Sequence, residues 1–118
     1  MGGSAVDTPA YYFSVAQLSN DGAHEAASPE LSRAHEAWNQ AVFADGALEG
    51  IEKALIGLAC AHAIQCPYSI HRQTEAAKGL GGDLAQMTEA VHVANAIRGG
   101  AALVHGLQMK ELVQEDVA

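Results

Sequence analysis

The chemistry that this sequence can support centres on Cys66, which is followed directly by Pro67 and the segment YSIHRQTEAAKGL. Proline disfavours helical angles in the residue before it and suits the first position of a helix, so Cys66 is predicted to stand at a helix N-terminus. The unpaired backbone N–H groups and the positive end of the helix dipole stabilise thiolate over thiol there. Cys66 is therefore the candidate nucleophile.

Two side chains near Cys66 in the sequence are placed to assist a nucleophile. His62 lies four residues earlier, so on a helix that persists to Cys66 the two side chains share a face and the imidazole can take the thiol proton. Ser69 lies on the first turn of the new helix, where its hydroxyl can hydrogen-bond the sulfur. Glu52 lies on a similar face but roughly 20 Å earlier along one helix, so contact needs chain reversal or a neighbouring subunit.

Less reactive interpretations compete with this one. A free cysteine often only packs in the interior, and this is the interpretation that we favour for Cys60 in the middle of its helix. On a continuous helix Cys60 and Cys66 would lie about 9 Å apart along the axis, too far for a disulfide. A metal site is a further alternative, but the spacing matches no specific motif, and no metal or cofactor is predicted. Its ligands would come from Cys66, His62, His71, His92 and His105.

The spacing of apolar residues predicts helices on both sides of Cys66. Ser28 followed by Pro29 is typical of a helix start, and the apolar spacing then continues to about Phe43. A second helix is predicted from Leu48 or Glu49, and its second half is apolar all round, as in a central helix.

Glycines and one capping pair divide the second half of the chain. Gly79, Gly81 and Gly82 are expected to end the helix that starts at Pro67. Asp83 with Gln86 resembles a capping box that starts the next helix. Gly99 and Gly100 are predicted to separate that helix from a last one, Ala101 to about Val113, and Arg98 just before them is expected to complement a helix C-terminus.

The fold class predicted from these elements is all-α, a compact bundle of about five or six helices. Residues 1–10 are small and polar and are expected to form a flexible tail, with a single helical domain over residues 11–118. A short docking helix is expected around residues 11–18. A chain of this length buries a limited share of its surface, so oligomerisation would help it.

Charge and hydropathy exclude several partners. Six Lys and Arg residues against fourteen Asp and Glu residues give a formal net charge of −8, which opposes the phosphate neutralisation that drives nucleic-acid binding. An anionic membrane surface is an equally poor partner for this charge. The sequence has neither the basic and apolar pattern of a signal peptide nor an apolar run of membrane-spanning length, so the expected location is cytoplasmic.

A family resemblance extends over roughly residues 30–109. The sequence is similar to the carboxymuconolactone decarboxylase and alkylhydroperoxidase-D-like family in the runs EKALIGLACAHAIQCPYSIHRQTEAAKG and MTEAVHVANAIRGGAALVHGLQM. It most resembles the arsenosugar-biosynthesis-associated peroxidase-like branch in AWNQAVFADGAL, in AHAIQCPY and in the segment from His92 to His105. The resemblance implies a helical domain that assembles as a homo-oligomer, a trimer or a hexamer.

In active members of that family a Cys-x-x-Cys pair reduces peroxides through a disulfide cycle, and Cys66 matches the first cysteine. The second cysteine is replaced here by Ser69, the histidine seven residues after the first cysteine by Gln73, and the relay glutamate by Ala54. We expect His62 as base and Glu52 as relay to substitute.

The resemblance therefore implies a peroxidase-like thiol oxidoreductase that reduces peroxides or related small substrates through Cys66, with an external thiol as reductant. Two alternatives remain open. One is a catalytically degenerate oligomeric binding or scaffold protein, and the other is a lactone decarboxylase-type enzyme that uses acid and base residues. The net acidic charge suits an anionic lactone poorly unless a basic pocket binds it.

Overall fold

The computed structural model describes residues 22–117, with side chains for residues 25–115. This part of the chain is helical and contains no strand, which confirms the predicted all-α class. The expected tail and the expected helix around residues 11–18 lie outside the described residues. The five helices are α1 (Gly22–Ala27), α2 (Pro29–Phe43), α3 (Gly50–Ala63), α4 (Pro67–Gly79) and α5 (Leu84–Val117).

The chain divides into two compact units between Lys53 and Ala54, a boundary that falls inside α3. The expectation of a single domain over residues 11–118 stays a prediction. None of the helices within residues 22–117 combines the length and the apolar content needed to cross a bilayer.

In the first unit, the connection between α2 and α3 is held by polar side chains. The Lys53 ammonium donates to the Ala44 carbonyl at 2.6 Å, just beyond the end of α2. The Asp45 carboxylate accepts from the Gly50 amide at 2.6 Å, so it satisfies one of the free N–H groups at the start of α3. The predicted break after Phe43 is therefore correct, and the next helix begins one or two residues later than expected.

The interior of the second unit is built mainly from alanine. Ala54, Leu58 and Ala61 form one buried stripe along α3, and Ala77 of α4 and Ala94 of α5 are also buried. Leu58 is the only large side chain among the fully buried ones of the described chain. Small side chains allow the backbones of packed helices to approach closely, but they bury little apolar area per residue.

The helices α3 and α4 each end in a Schellman motif, in which a left-handed residue closes the last turn. At the end of α3, Gln65 has a φ of 56°, its amide donates to His62 O at 3.1 Å, and the Cys66 amide donates to Ala61 O at 3.0 Å. At the end of α4, Gly81 has a φ of 86° and the Gly82 amide donates to Ala77 O at 2.8 Å. The glycine cluster thus ends α4 as predicted.

The start of α5 confirms the predicted capping box. The Gln86 amide donates to Asp83 Oδ1 at 2.8 Å, and the Asp83 amide donates to Gln86 Oε1 at 3.0 Å. The predicted break at Gly99 and Gly100 is wrong, because α5 runs through both without interruption. Glycine only weakens helix propensity, and neither a proline nor a capping side chain follows to end the helix here.

The left-handed residue that ends α4 gives a test of this architecture. We expect Gly81→Ala to lower the free energy of unfolding by about 1 kcal/mol, because a Cβ is disfavoured at positive φ. The matched control is Gly79→Ala, inside α4 with open space around its added Cβ, which we expect to be neutral or stabilising. Urea denaturation measures both variants, and equal effects would contradict the assigned role of Gly81.

Candidate functional site

Cys66 stands at the N-cap of α4, as the sequence predicts. Its φ of −104° and ψ of 103° are extended, and Pro67 takes the first helical position. The Ser69 amide points to the sulfur, with 3.5 Å between Ser69 N and Cys66 Sγ. The sulfur therefore occupies the place that a serine or aspartate oxygen occupies in an ordinary N-cap.

The surroundings of the sulfur favour its anion. Ser69 lowers the pKa of the Cys66 thiol below its ordinary value, first through its hydroxyl and then through its backbone amide. The Tyr68 amide and the positive charge of Arg72 lower this pKa further, whereas burial opposes them. Cys66 is half-buried, so the sulfur is neither sealed in the interior nor fully in water.

The end of α3 fixes the position from which Cys66 enters α4. The Cys66 amide closes the last turn of α3, while its carbonyl accepts from the Ile70 amide at 3.0 Å in the first turn of α4. The guanidinium of Arg98 on α5 donates to the Ala63 carbonyl at the same end of α3. Arg98 therefore complements the C-terminus of a different helix from the one that the sequence suggested.

A turn of the chain separates His62 from Cys66, whereas the sequence analysis required a helix that continues to Cys66. The helix ends at Ala63 and Gln65 turns the chain, so His62 and Cys66 do not follow one continuous helical face. His62 is half-buried, and its Nδ1 lies 2.9 Å from Leu58 O. When Nδ1 carries the proton and donates to this carbonyl, Nε2 remains an acceptor, as a base requires. The role of His62 as base stays a prediction.

Glu52 has a local structural role. It is exposed in the first turn of α3, and its Oε1 accepts from the Glu49 amide at 2.8 Å. A carboxylate at a helix N-terminus also interacts favourably with the dipole. Its role as relay stays a prediction.

Two of the family positions that differ in this sequence, Gln73 and Ala54, carry no titratable side chain and lie in the interior. Gln73 lies on α4 and its Oε1 is buried without a hydrogen-bond partner in the described structure. A Cβ added at Gly57 on α3 would come within 2.7 Å of this oxygen, so a larger residue at this position would require the Gln73 side chain to move. Ala54 is 2 % exposed and belongs to the alanine stripe of α3.

Both cysteines are free, and Cys60 is exposed, so the interpretation of Cys60 as a packing residue is wrong for this chain. No group of three His, Cys, Asp or Glu side chains that could hold a metal ion occurs among the described residues. Sequence reasoning missed Arg72, although it is one of only six basic residues and lies within two turns of Cys66.

The all-helical fold is that of a known class of proteins, since the model of the carboxymuconolactone decarboxylase family matches residues 29–111. The chain belongs to the carboxymuconolactone decarboxylase family. It is also 37% identical over 89 residues to a Paracoccus denitrificans protein named uncharacterized protein 4 in cox locus, a match that spans 75% of this chain and 80% of that protein.

Two solved structures support the fold. A protein from Methanobacterium thermoautotrophicum is 32% identical and has a TM-score of 0.66, covering 70% of this chain and 92% of its own. A carboxymuconolactone decarboxylase family protein from Legionella pneumophila is 29% identical and has a TM-score of 0.64, covering 85% of this chain and 87% of its own. Both matches extend over most of the helical chain.

The role of Ser69 gives a direct prediction. We expect Ser69→Ala to raise the pKa of the Cys66 thiol towards the ordinary cysteine value of about 8.5, because the hydroxyl no longer stabilises the thiolate. Thiolate absorbance against pH in a Cys60→Ser background measures this pKa. Thr74→Ala is the control, since it also removes a hydroxyl from α4, but one that donates to Ile70 O at 2.7 Å. An equal pKa in both variants would contradict the assigned role.

The same shift links thiol ionisation to stability. The folded pKa of Cys66 lies below the unfolded one, so the thiolate stabilises the fold above the unfolded pKa, and this stabilisation is lost as pH falls through the folded pKa. We expect the stability gained as pH rises through this window to shrink in Ser69→Ala.

Proposed function

We propose that this chain is a peroxidase-like thiol oxidoreductase, most similar in chemistry to the arsenosugar-biosynthesis-associated peroxidase-like branch of its family. The observation that carries the proposal is the half-buried sulfur of Cys66 at the N-cap of α4, with a lowered thiol pKa. A nucleophilic cysteine needs a stabilised thiolate and access to its substrate. Membership of the family supports this proposal without deciding between its activities.

The proposed reaction has two steps that balance. The Cys66 thiolate attacks the terminal oxygen of a peroxide ROOH, the O–O bond breaks, and the departing alkoxide takes a proton to leave as ROH. The sulfur is then a sulfenic acid, oxidised by two electrons. Two molecules of an external thiol reduce it in turn, forming their own disulfide, releasing water and restoring Cys66.

The roles of the neighbouring residues follow from this scheme. Ser69 stabilises the thiolate but cannot form a disulfide, so an external thiol must supply the reductant. His62 is the base that accepts the thiol proton. Its relay is Glu52 supplied by a neighbouring subunit, because within one chain Glu52 lies about 15 Å before His62 along α3. We place the reaction in the cytoplasm, where external thiols are kept reduced.

Assembly into a homo-oligomer, a trimer or a hexamer, is part of this proposal. The apolar face of α2 is exposed at Leu31, Trp38 and Val42, with 74%, 65% and 38% of their surface accessible. Large exposed apolar surface on a folded chain marks an interaction site.

A second candidate function is a catalytically degenerate binding or scaffold protein. It is favoured by the replacement of the second family cysteine by Ser69 and by the packing of Gln73 and Ala54 where the family has titratable residues. A lactone decarboxylase-type activity would instead need acid and base residues to act without the thiol.

Peroxide oxidation of Cys66 separates these functions. In Cys60→Ser we expect stoichiometric hydrogen peroxide or an alkyl hydroperoxide to convert Cys66 to a sulfenic acid at least tenfold faster than it oxidises free cysteine. Mass spectrometry after dimedone trapping measures the rate, and Cys66→Ser is the control. In Ser69→Cys we expect the same oxidation to end in an intramolecular disulfide. If peroxide oxidises Cys66 no faster than free cysteine, the oxidoreductase is excluded, and the scaffold function and the lactone decarboxylase-type activity remain.

The role of His62 has its own test. We expect His62→Ala to slow Cys66 oxidation about tenfold near neutral pH, because the thiol loses the base that accepts its proton. The difference should shrink at a pH above the thiol pKa, where no base is needed. The control is His105→Ala, on an exposed part of α5. A pH-rate profile and a thiol pKa that are unchanged in His62→Ala would show that the relay assignment is wrong.

A further inference from the structure

The charge around Cys66 has the opposite sign to the charge of the chain as a whole. Fourteen Asp and Glu residues outnumber six Lys and Arg residues, which gives a formal net charge of −8. Of the groups that lower the pKa of the Cys66 thiol, Ser69 acts most strongly and Arg72 is the only charged side chain. Burial alone raises this pKa, so none of the described carboxylates acts on the sulfur. The field at the sulfur is therefore locally positive on an acidic protein.

Arg72 is a cation of α4 that the fold leaves available to a ligand. Its side chain is exposed, and it makes neither a hydrogen bond nor an ion pair with another described residue. Acceptors within the chain already engage three other basic side chains, namely Lys53, Lys78 and Arg98. The planar guanidinium of arginine matches the two oxygens of a carboxylate, to which it can donate two parallel hydrogen bonds.

Arg72 follows Cys66 and Ser69 along α4 at steps of three residues. Cys66 is the N-cap, Ser69 lies on the first turn, and Arg72 lies about 9 Å from the N-cap along the helix axis. Residues three apart are neighbours on a helix surface, and helical side chains lean towards the N-terminus. The guanidinium is therefore carried towards Ser69 and the sulfur, in agreement with its action on the thiol.

The proposed cycle contains one external reactant that must be an anion when it reacts. An alkyl hydroperoxide is neutral, whereas a reducing thiol attacks as its thiolate. The net charge of −8 repels such an anion from the protein as a whole, so a cation beside the sulfur acts most strongly on this step. A carboxylate on the reductant adds a second negative charge that the guanidinium can bind.

We infer that Arg72 selects the reductant of Cys66, and that this reductant is a small thiol that carries a carboxylate. The inference rests on the proposed function and names the chemical class of its external thiol. Within that function, Arg72 is a specificity-determining residue: it binds the carboxylate of the reductant and holds the attacking thiolate beside the sulfur.

The reduction that Arg72 assists has two attacks. The thiolate of the first reductant attacks the sulfenic sulfur of Cys66, an S–S bond forms, the S–O bond breaks, and the departing hydroxide takes a proton to leave as water. A second thiolate then attacks the reductant's sulfur in this mixed disulfide, and the Cys66 thiolate leaves. Cys66 gains two electrons, and the two reductant molecules lose them as they become one disulfide.

The first test compares three thiols of similar size and different charge, namely mercaptoacetate, mercaptoethanol and mercaptoethylamine. Peroxide first converts Cys66 of the full Cys60→Ser chain to the sulfenic acid, and mass spectrometry after rapid quenching measures the rate at which each mixed disulfide forms. We expect Arg72→Gln to slow mercaptoacetate about tenfold relative to mercaptoethylamine, because the carboxylate loses its cation. Arg72→Lys should keep most of the preference. The ratio of two thiols on one chain cancels any change in the reactivity of Cys66 itself.

Lys78→Gln is the matched control for this ratio. Lys78 is an exposed cation in the last turn of the same helix, so its loss changes the net charge by the same amount as the loss of Arg72. We expect the ratio to stay unchanged in Lys78→Gln, and to fall with rising ionic strength in the Cys60→Ser chain, because salt screens exposed charges. An unchanged ratio in Arg72→Gln, or an equal fall in Lys78→Gln, would overturn the inference.

The second test separates the role of Arg72 from the proposed function, because it needs no peroxide. Reduced Cys66 is mixed with the symmetrical disulfides of the same three thiols, and the rates of formation of the same mixed disulfides are measured. Arg72→Gln should again slow the dianionic disulfide relative to the dicationic one, by about tenfold. This result, together with a Cys66 that peroxide oxidises no faster than free cysteine, would contradict the proposed function but not the selection of carboxylates by Arg72. Rapid oxidation with no charge preference would exclude only the role of Arg72.

Discussion

The site depends on one residue that belongs to the ends of two helices. The amide of Cys66 donates to Ala61 O and closes α3, while its sulfur and its carbonyl receive amides from the first turn of α4. Because both sets of hydrogen bonds act on one residue, the backbone of Cys66 is fixed relative to the ends of α3 and α4. The lowered thiol pKa follows from this placement and from Ser69.

The interior of the second unit limits how much hydrophobic stabilisation this part of the chain can gain by itself. The buried residues of α3, α4 and α5 are mostly alanines, and Gly57 leaves space for the Gln73 amide. Alanine contributes little hydrophobic stabilisation, since that term scales with the buried apolar area. The second unit is therefore expected to gain part of its stability from surfaces that the single chain leaves exposed, of which the face of α5 with Leu103 is the clearest.

Local rules predicted most of the helix boundaries and the position of Cys66. The constraint of Pro67 acts on its immediate neighbour, and the capping box of Asp83 and Gln86 spans three residues, so both can be recognised in sequence. Features that depend on distant partners could not be predicted. Arg98 caps a helix 35 residues away, and the left-handed turn at Gln65, which separates His62 from Cys66, has no signature because glutamine does not favour positive φ.

Residue 69 cannot be both a thiol that resolves the oxidised cysteine and a hydroxyl that lowers the pKa of Cys66. A thiol there resolves the oxidised nucleophile by forming a disulfide, whereas the Ser69 hydroxyl hydrogen-bonds the thiolate and lowers its pKa more strongly than any other group. In the proposed reaction, a serine at this place favours the first step, attack by the anion, and gives up internal resolution. The proposed second step then needs a reductant from outside the chain, which must reach the half-buried sulfur.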